Sequence, residues 1–340
     1  MAETVRYLPS VVRDVVPFAP PIRVAQLYSR RQREGLMTAI RRAGPVRHIL
    51  GRHTTDAYGH AQLDPIFRGD LALESICLDP AAEVAFFSSK LMKLARSYRR
   101  AAFCLPRQLA FNITVPCHND GRPHTDVPAF RGLWHLDAPP WLLWVMGYSG
   151  LFDEFAVKMV QITTWFWRGS TGGFTCWPNG TAGAPLHVAA PVWNGAVVAE
   201  NQKMFHRPEP ILTAAEDDSR PEIDTGSCIS VADDDGDLWL VRTGGKVVAR
   251  YSTNDLRFMV HWGCVVFDTL AEVERHLAGT DSLTLDIVFD RLTADLRRSG
   301  SAVSVPPNPL DDRDFRDLLV KHYGIDPPTV LSVGCQLVST

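Results

Sequence analysis

The side chains best suited to chemistry lie in NDGRPHTDVPAFRG, Asn119 to Gly132. His124 and Asp126 stand two apart, so on an extended strand both leave the same face. An imidazole and a carboxylate held in that way fit two neighbouring positions on one divalent metal. A third histidine from elsewhere completes a set of two histidines and one carboxylate, which leaves positions open for a co-substrate and dioxygen. His118-Asn119-Asp120 and His135-Leu136-Asp137 share the spacing, so spacing alone does not choose among them. Context does. His124 follows a β run and a Gly-x-Pro turn, where a strand resumes, whereas His118 lies inside the turn and His135 follows the loop-like PAFRG.

The third ligand must come from a strand that reaches the same centre. WNGAVVAENQKMFHRPEPI, Trp193 to Ile211, fits: an Asn-Gly turn opens it, an apolar strand follows, and His206 closes it before Arg207 and a proline break. The separation from Asp126 is 206 − 126 = 80 residues. His187 has no strand leading into it, and His261, inside a later strand, reads as a half-buried core histidine.

These residues need a frame. Length, 340 residues, allows two domains or one elaborated one. A hydrophobic share of 46% with 21% charged residues is globular composition and excludes disorder as the main state. The balance of 35 Lys+Arg against 38 Asp+Glu, net −3, argues against an electrostatic nucleic-acid binder. Seven scattered cysteines without a CxxC pair suit reduced thiols. The first residues lack the pattern of a signal peptide, and the most apolar run, Trp141 to Phe152, is far short of the ~20 residues that span a bilayer. The expectation is a cytoplasmic protein with no membrane partner.

Along the chain, Val24 to Arg42 and Pro80 to Ala102 carry helical periodicity, with Asp79 as N-cap before a first-turn proline. From Gln108 short β-branched and aromatic runs alternate with Gly, Pro and Asn, as in an antiparallel sandwich or barrel. Helical patterns return after Asp268. The expected fold is α+β with a mainly β core. It divides into a mixed N-terminal flank (1–107), a core (108–268) with a hairpin inserted at 228–252, and a helical C-terminal segment (269–340). The Asp233-Asp234-Asp235-Gly236-Asp237 stretch reads as a solvated hairpin tip and lacks the spacing of a calcium loop.

The pattern HTD, 80 residues, MFHR, with a Gly-led strand before the last histidine, resembles the iron(II)/2-oxoglutarate-dependent oxygenases over Gln108 to Asp268. The resemblance implies a double-stranded β-helix (jelly-roll, cupin-like) core, Fe(II) held by His124, Asp126 and His206, and 2-oxoglutarate and dioxygen as co-substrates. It also implies an arginine for the distal carboxylate of 2-oxoglutarate, because a guanidinium meets a carboxylate bidentately. Arg257, opening LRFMVHWGCVVF, is the first choice, although Met259 stands where a Ser or Thr is common and the spacing from His206 is 257 − 206 = 51 residues. Arg250, in Arg250-Tyr251-Ser252, is the second and Arg220 the third. A carboxylate at position 126 disfavours halogenation and leaves hydroxylation, desaturation or oxidative cyclisation.

Asn112, Arg131, Trp165 and Trp167 are candidates to line the substrate mouth, Arg131 for a substrate carboxylate. For the two tryptophans, which share a strand face, packing in the core is the plainer reading. The expected substrate is a small molecule, amino-acid-like, as in natural product biosynthesis. Two rival readings stand beside this one: a cupin-like iron oxidase or dioxygenase without 2-oxoglutarate, and a β-sandwich binding module without catalysis. A role for the C-terminal segment in forming a homodimer is compatible with any of them.

Overall fold

The structure is a computed structural model that describes residues 15–49, 65–117, 123–211, 223–233, 235–325, 327 and 335–336. In the first third of the chain the elements are β1 (Ile22–Val24), α1 (Arg30–Arg42), β2 (Val46–Arg47), β3 (Ile66–Leu73), β4 (Ile76–Cys77), α2 (Glu83–Phe86), α3 (Ser89–Arg99) and β5 (Phe103–Thr114). Then come α4 (Pro140–Ser149), β6 (Met159–Trp167), β7 (Phe174–Trp177), β8 (Leu186–Val188), β9 (Val192–Ala199) and β10 (Phe205–Pro208). The remainder holds β11 (Cys228–Val231), β12 (Leu238–Thr243), β13 (Lys246–Ser252), β14 (Arg257–Phe267), α5 (Leu270–Ala278), α6 (Leu285–Arg298), α7 (Arg313–Tyr323) and β15 (Cys335–Gln336).

The strands form three sheets, ordered β1-β9-β6-β14-β5-β3-β4, β10-β7-β8-β15 and β13-β12-β11-β2, and none closes into a barrel among the described residues. All pairings are antiparallel except the short β15–β8 contact. The seven-stranded sheet is buried on both faces, and strand alternation sorts its residues. Phe67, Phe111, Ile162, Val198, Phe258 and Trp262 face Leu36 and Ile40 of α1 and Leu91 and Ala95 of α3. Trp165, Trp167, Val197 and Ala199 face Phe174, Cys176, Val188 and Met204 on the side of the second sheet. Arg257, Met259 and His261 alternate with Phe258, Val260 and Trp262, so they point towards the second sheet.

Local signals explain the helices. Ser29 and Gln32 make a capping box at the start of α1. Asp79 accepts from the Ala81 N–H at 2.8 Å ahead of the turn that Pro80 begins. The apolar run around Trp141 is α4, which packs with α6 and α7 around a second core containing Leu142, Met146, Phe289, Leu292 and Leu319. No helix among the described residues is long and apolar enough to cross a membrane.

Two features differ from the sequence reading. β5 begins at Phe103 rather than Gln108: Pro106 interrupts the β pattern, yet it sits where the β5–β14 register shifts, a place that tolerates a missing N–H. β1, β3 and β4 lie in the large sheet, so the mixed segment before Gln108 shares a sheet with β5, β6, β9 and β14. Cys228 to Ser252 is a three-stranded meander, not a single hairpin, because Gly244 and Gly245, both at positive φ, add a second turn. Its Ile229, Trp239 and Val241 join the core on the helical side of the large sheet, away from the face that carries His261. Asp234 lies outside the described residues.

Candidate metal centre

Main-chain bonds bring the three predicted ligands together. His124 and His206 form an antiparallel bridge, with His124 N–H donating to His206 O at 3.0 Å and His206 N–H to His124 O at 2.9 Å. Two residues along, Asp126 N–H donates to Asn201 O at 3.0 Å. Asn201 begins the 3-10 turn Asn201–Lys203, and its own N–H donates to Gln161 Oε1 of β6 at 2.9 Å. Trp193 to Ile211 is therefore not one strand closed by His206. β9 ends at Ala199 in the large sheet, the polar run Glu200 to Lys203 turns the chain across, and His206 belongs to β10 in the second sheet. Asn194, at positive φ, sits where the β6–β9 register shifts rather than in a turn before the strand.

Helix α4 supports the other side of the segment. Tyr148 Oη and Thr125 Oγ1 are hydrogen-bonded at 2.8 Å, and Trp144 Nε1 donates to Thr125 O at 3.3 Å. A Cβ at Gly147 would lie 2.8 Å from Pro128 Cγ, so glycine allows α4 to approach the segment that carries Asp126.

His124, Asp126 and His206 each present one ligand atom, and these atoms lie within 4.8 Å of one another. Two nitrogens and one carboxylate oxygen on adjacent backbones are a donor set suited to a divalent transition metal. Asp126 Oδ2 supplies an independent test of fit: it is buried and makes no hydrogen bond among the described residues. The side chain as a whole keeps 28% exposure, so the burial belongs to that atom. A buried carboxylate oxygen without a donor is costly, and a cation at the site relieves the cost. Burial pushes the Asp126 carboxyl pKa up, but His261, His206, His124 and Arg68 around it outweigh that and leave it below its ordinary value. Burial, aided by His124, pushes the His206 pKa down to about 4, so its imidazole is neutral and able to ligate near pH 7. His206 Nδ1 and Met204 O are 3.0 Å apart, a contact that fits a protonated Nδ1 and turns Nε2, 3.7 Å from Asp126 Oδ1, towards the centre. His206 is buried and His124 exposed, so the centre opens on the His124 side.

No protein-family model matches the sequence, and no curated protein matches it. Among solved structures the chain is similar to an oxidoreductase of the 2-oxoglutarate–Fe(II) oxygenase family from Burkholderia pseudomallei. The two are 10% identical, with 60% of this chain and 68% of that chain covered and a TM-score of 0.33. It is similar to a prolyl hydroxylase from Trichoplax adhaerens in complex with a hypoxia-inducible-factor peptide fragment, at 10% identity, 76% and 86% coverage and a TM-score of 0.40. It is also similar to HygX from Streptomyces hygroscopicus with nickel, 2-oxoglutarate and hygromycin B bound, at 9% identity, 72% and 82% coverage and a TM-score of 0.38.

The other predicted residues are dispersed. Arg257 is 3% exposed, and its Nη1 donates to Gly172 O at 3.1 Å and Glu209 O at 2.7 Å. Trp165 and Trp167 are buried between the two facing sheets, the Trp165 ring 5.1 Å from that of Phe174 and the Trp167 Nε1 donating to Thr171 O. Asn112 lies on β5 opposite Met259, on the face of the large sheet that carries His261. Arg131 is 2.9 Å from Asp281 and lies over the Phe155 ring, holding the loop before α6. Arg250 is exposed on β13 in the third sheet. Arg220, His118 and Asp120 lie outside the described residues. Asp137 Oδ2 accepts from Trp134 N–H at 2.9 Å, a local turn contact.

The sequence reading set His261 aside as a core histidine and did not single out Arg68. His261 Nε2 lies 3.7 Å from Asp126 Oδ2, and Arg68 on β3 is close enough for its charge to act on both Asp126 and His261. The signal for His261 was alternation on β14: it shares a face with Arg257. His187 was set aside for lack of a strand, but it sits in the three-residue β8, 2.9 Å from Glu209 and 3.1 Å from Thr175 Oγ1.

Proposed function

We propose that this protein is an iron(II)- and 2-oxoglutarate-dependent oxygenase that oxidises a C–H bond of a small molecule. The observation that carries this reading is the convergence of His124, Asp126 and His206 around a buried carboxylate oxygen without a hydrogen-bond donor among the described residues. Bound iron would supply the activation of dioxygen, with two of the four electrons coming from 2-oxoglutarate as it becomes succinate and CO2 and two from the substrate C–H bond.

The chain's own residues hold, orient and exclude. His124, Asp126 and His206 hold the metal on main chain that is already paired, so little ordering is needed on binding. Arg257 takes the distal carboxylate of 2-oxoglutarate, its guanidinium oriented by the two carbonyls that accept from Nη1. Gly172 permits that arrangement: its φ is +85°, and a Cβ there would lie 2.3 Å from Ile211 Cγ2 and 3.1 Å from Arg257 Nη1. Trp165, Trp167 and Phe174 keep water from the space between the sheets. The exposed Arg250 and the ion-paired Arg131 have no part in this assignment.

The chain path supports a double-stranded β-helix for the catalytic unit, Gln108 to Asp268. After β5 in the large sheet it visits the His124 bridge beside β10, returns to β6, crosses to β7 and β8, returns to β9, crosses to β10 and ends in β14. Such alternation between two facing sheets is the jelly-roll pattern.

The test is an anaerobic titration of metal-free protein with Fe(II) and then 2-oxoglutarate, followed by the visible charge-transfer band of a chelated keto acid. The band is expected in the wild type, absent in His206→Ala, and shifted to higher 2-oxoglutarate concentrations in Arg257→Gln. Tight iron binding without a band would instead favour an oxidase that uses no 2-oxoglutarate. Failure to bind iron would sink the metal centre itself.

A further inference from the structure

Charge is unevenly placed along this chain. α1 holds five arginines and one glutamate, and residues 83–100, from α2 to the end of α3, hold five cations and one glutamate. Ten positive and two negative charges give these stretches a net +8, so the remainder carries −11 for the chain to total −3. Both helices bury one face on the large sheet, Leu36, Ala39 and Ile40 from α1 and Leu91, Ala95 and Tyr98 from α3. Their other faces turn outward. Along α3 and its C-cap the outward stripe is Lys90, Lys93, Arg96 and Arg100, with no acid among them. On α1, Arg31 and Arg41 are exposed, while Arg30 is paired with Glu34 at 2.7 Å.

The two helices belong to one layer. The segment between β4 and α3 runs along α1: Arg42 Nε donates to Asp79 Oδ2 at 3.1 Å, and Gln32 Nε2 donates to Val84 O at 3.0 Å. Between these contacts a Cβ at Gly35 would lie 2.2 Å from Ala81 O, so glycine permits the close approach. Lys90 Nζ, at the start of α3, donates to Leu27 O at 2.8 Å, just ahead of α1. Beside the cations this segment exposes Leu78, Val84 and Phe87, at 57%, 46% and 47%. Apolar side chains standing out of a basic surface suit an anionic bilayer, where cations meet the headgroups and apolar groups enter the acyl boundary. A nucleic acid would use the cations and leave the three apolar side chains in water. A protein delivering bound substrate would seat beside the metal, but this layer covers the face of the large sheet opposite the one that carries His261.

We infer that the exposed face of α1, α3 and the segment 78–87 docks this protein on membranes rich in anionic lipid, with Leu78, Val84 and Phe87 seated among the headgroups. Contact is with the lipid surface and needs no spanning helix. The metal centre, on the far side of the large sheet, stays turned to the aqueous phase. A net charge of −3 masks this surface, because the compensating acids lie elsewhere in the chain.

The experiment is co-sedimentation of the full-length protein with vesicles of phosphatidylcholine, alone or with roughly one-third phosphatidylserine, at about 0.1 M and about 0.5 M salt. Binding is expected on the mixed vesicles at the lower salt, is expected to fall at the higher, and is expected to be absent on phosphatidylcholine alone. One cation near an anionic leaflet is worth roughly fivefold in partition, so Arg31→Ala with Lys93→Ala is expected to weaken binding roughly 25-fold. Phe87→Ser with Leu78→Ser is expected to weaken it several-fold without changing its salt dependence. Removing two exposed cations from α7, Arg313→Ala with Lys321→Ala, is expected to leave it within about twofold of wild type. Thermal melts and anaerobic Fe(II) titrations of all three double variants are expected to match wild type.

No binding to the mixed vesicles would overturn the inference. Equal losses in the α7 variant and in Arg31→Ala with Lys93→Ala would overturn it too, since the attraction would then belong to overall charge and not to this face. Undiminished binding by Phe87→Ser with Leu78→Ser would remove the seated apolar groups. Tighter binding to an oligothymidylate than to the vesicles would assign the face to nucleic acid. None of these outcomes bears on the metal centre, which the charge-transfer band tests separately.

Discussion

Asp126 is the residue on which the centre turns, because one of its oxygens is buried and makes no hydrogen bond among the described residues, with the imidazole of His261 3.7 Å away. Replacing His261 by Phe leaves that oxygen less supported and is expected to lower Fe(II) affinity ~10–100-fold, measured by anaerobic titration, with the fold retained. A variant with unchanged affinity would reduce His261 to packing. His206 sets a pH dependence in the metal-free protein. Its folded pKa of about 4 lies below the ordinary 6.5, so between those values the unfolded chain binds the proton and the folded chain does not. Stability is therefore full above pH 6.5 and declines as pH falls towards 4, by on the order of 3 kcal/mol. Thermal melts of apo His206→Gln against wild type across that window are expected to show a shallower decline in the variant. The His-x-Asp pair was legible because its two residues are neighbours in sequence. The His261 contact was not, since it joins residues 261 − 126 = 135 positions apart and depends on which face of β14 meets the ligand strand.

At the scale of elements, the decisive piece is the turn between β9 and β10. Glu200, just before it, is paired with Arg99 of α3 at 3.1 Å, both side chains largely buried, and accepts from Phe18 N–H at 2.8 Å. Arg99→Ala leaves that carboxylate buried without its cation and is expected to cost about 3 kcal/mol in urea unfolding. Because Asn201 O holds the Asp126 N–H, the same variant is expected to bind iron more weakly at temperatures where it is folded. Gly147→Val pushes α4 away from Pro128 and is expected to weaken metal binding while leaving the helix content seen by circular dichroism unchanged. Periodicity located the helices α1, α3, α5, α6 and α7 and most strands, because each buries one face. It ran β9, the turn and β10 together, since Ala-Val-Val-Ala followed by Met-Phe reads as one apolar run. The crossing between sheets is decided by contacts of Glu200 and Asn201 with distant segments.

At the scale of the whole molecule, the ligands come from segments far apart in sequence, so metal binding is coupled to the folded state. A divalent ion at 100 times its dissociation constant is expected to add about 2.7 kcal/mol of stability. The upward shift in melting temperature with Fe(II) under anaerobic conditions is expected to vanish in His124→Ala, Asp126→Ala and His206→Ala. Composition and patterning made the mixture of helices and antiparallel strands legible. The meander between β10 and β14 was only half legible, because its packing against the helical side of the large sheet rests on Trp239 and Ile229, whose partners no local pattern names. The reciprocal hydrogen bonds between His124 and His206 carry a further consequence, for rates. Ligands already joined through their backbones need no slow rearrangement before they close on an ion. Metal uptake by the apo protein is therefore expected to follow a single second-order phase whose observed rate constant rises linearly with metal concentration in stopped flow. A plateau at high concentration would reveal a closing step that the bridge was thought to have made unnecessary.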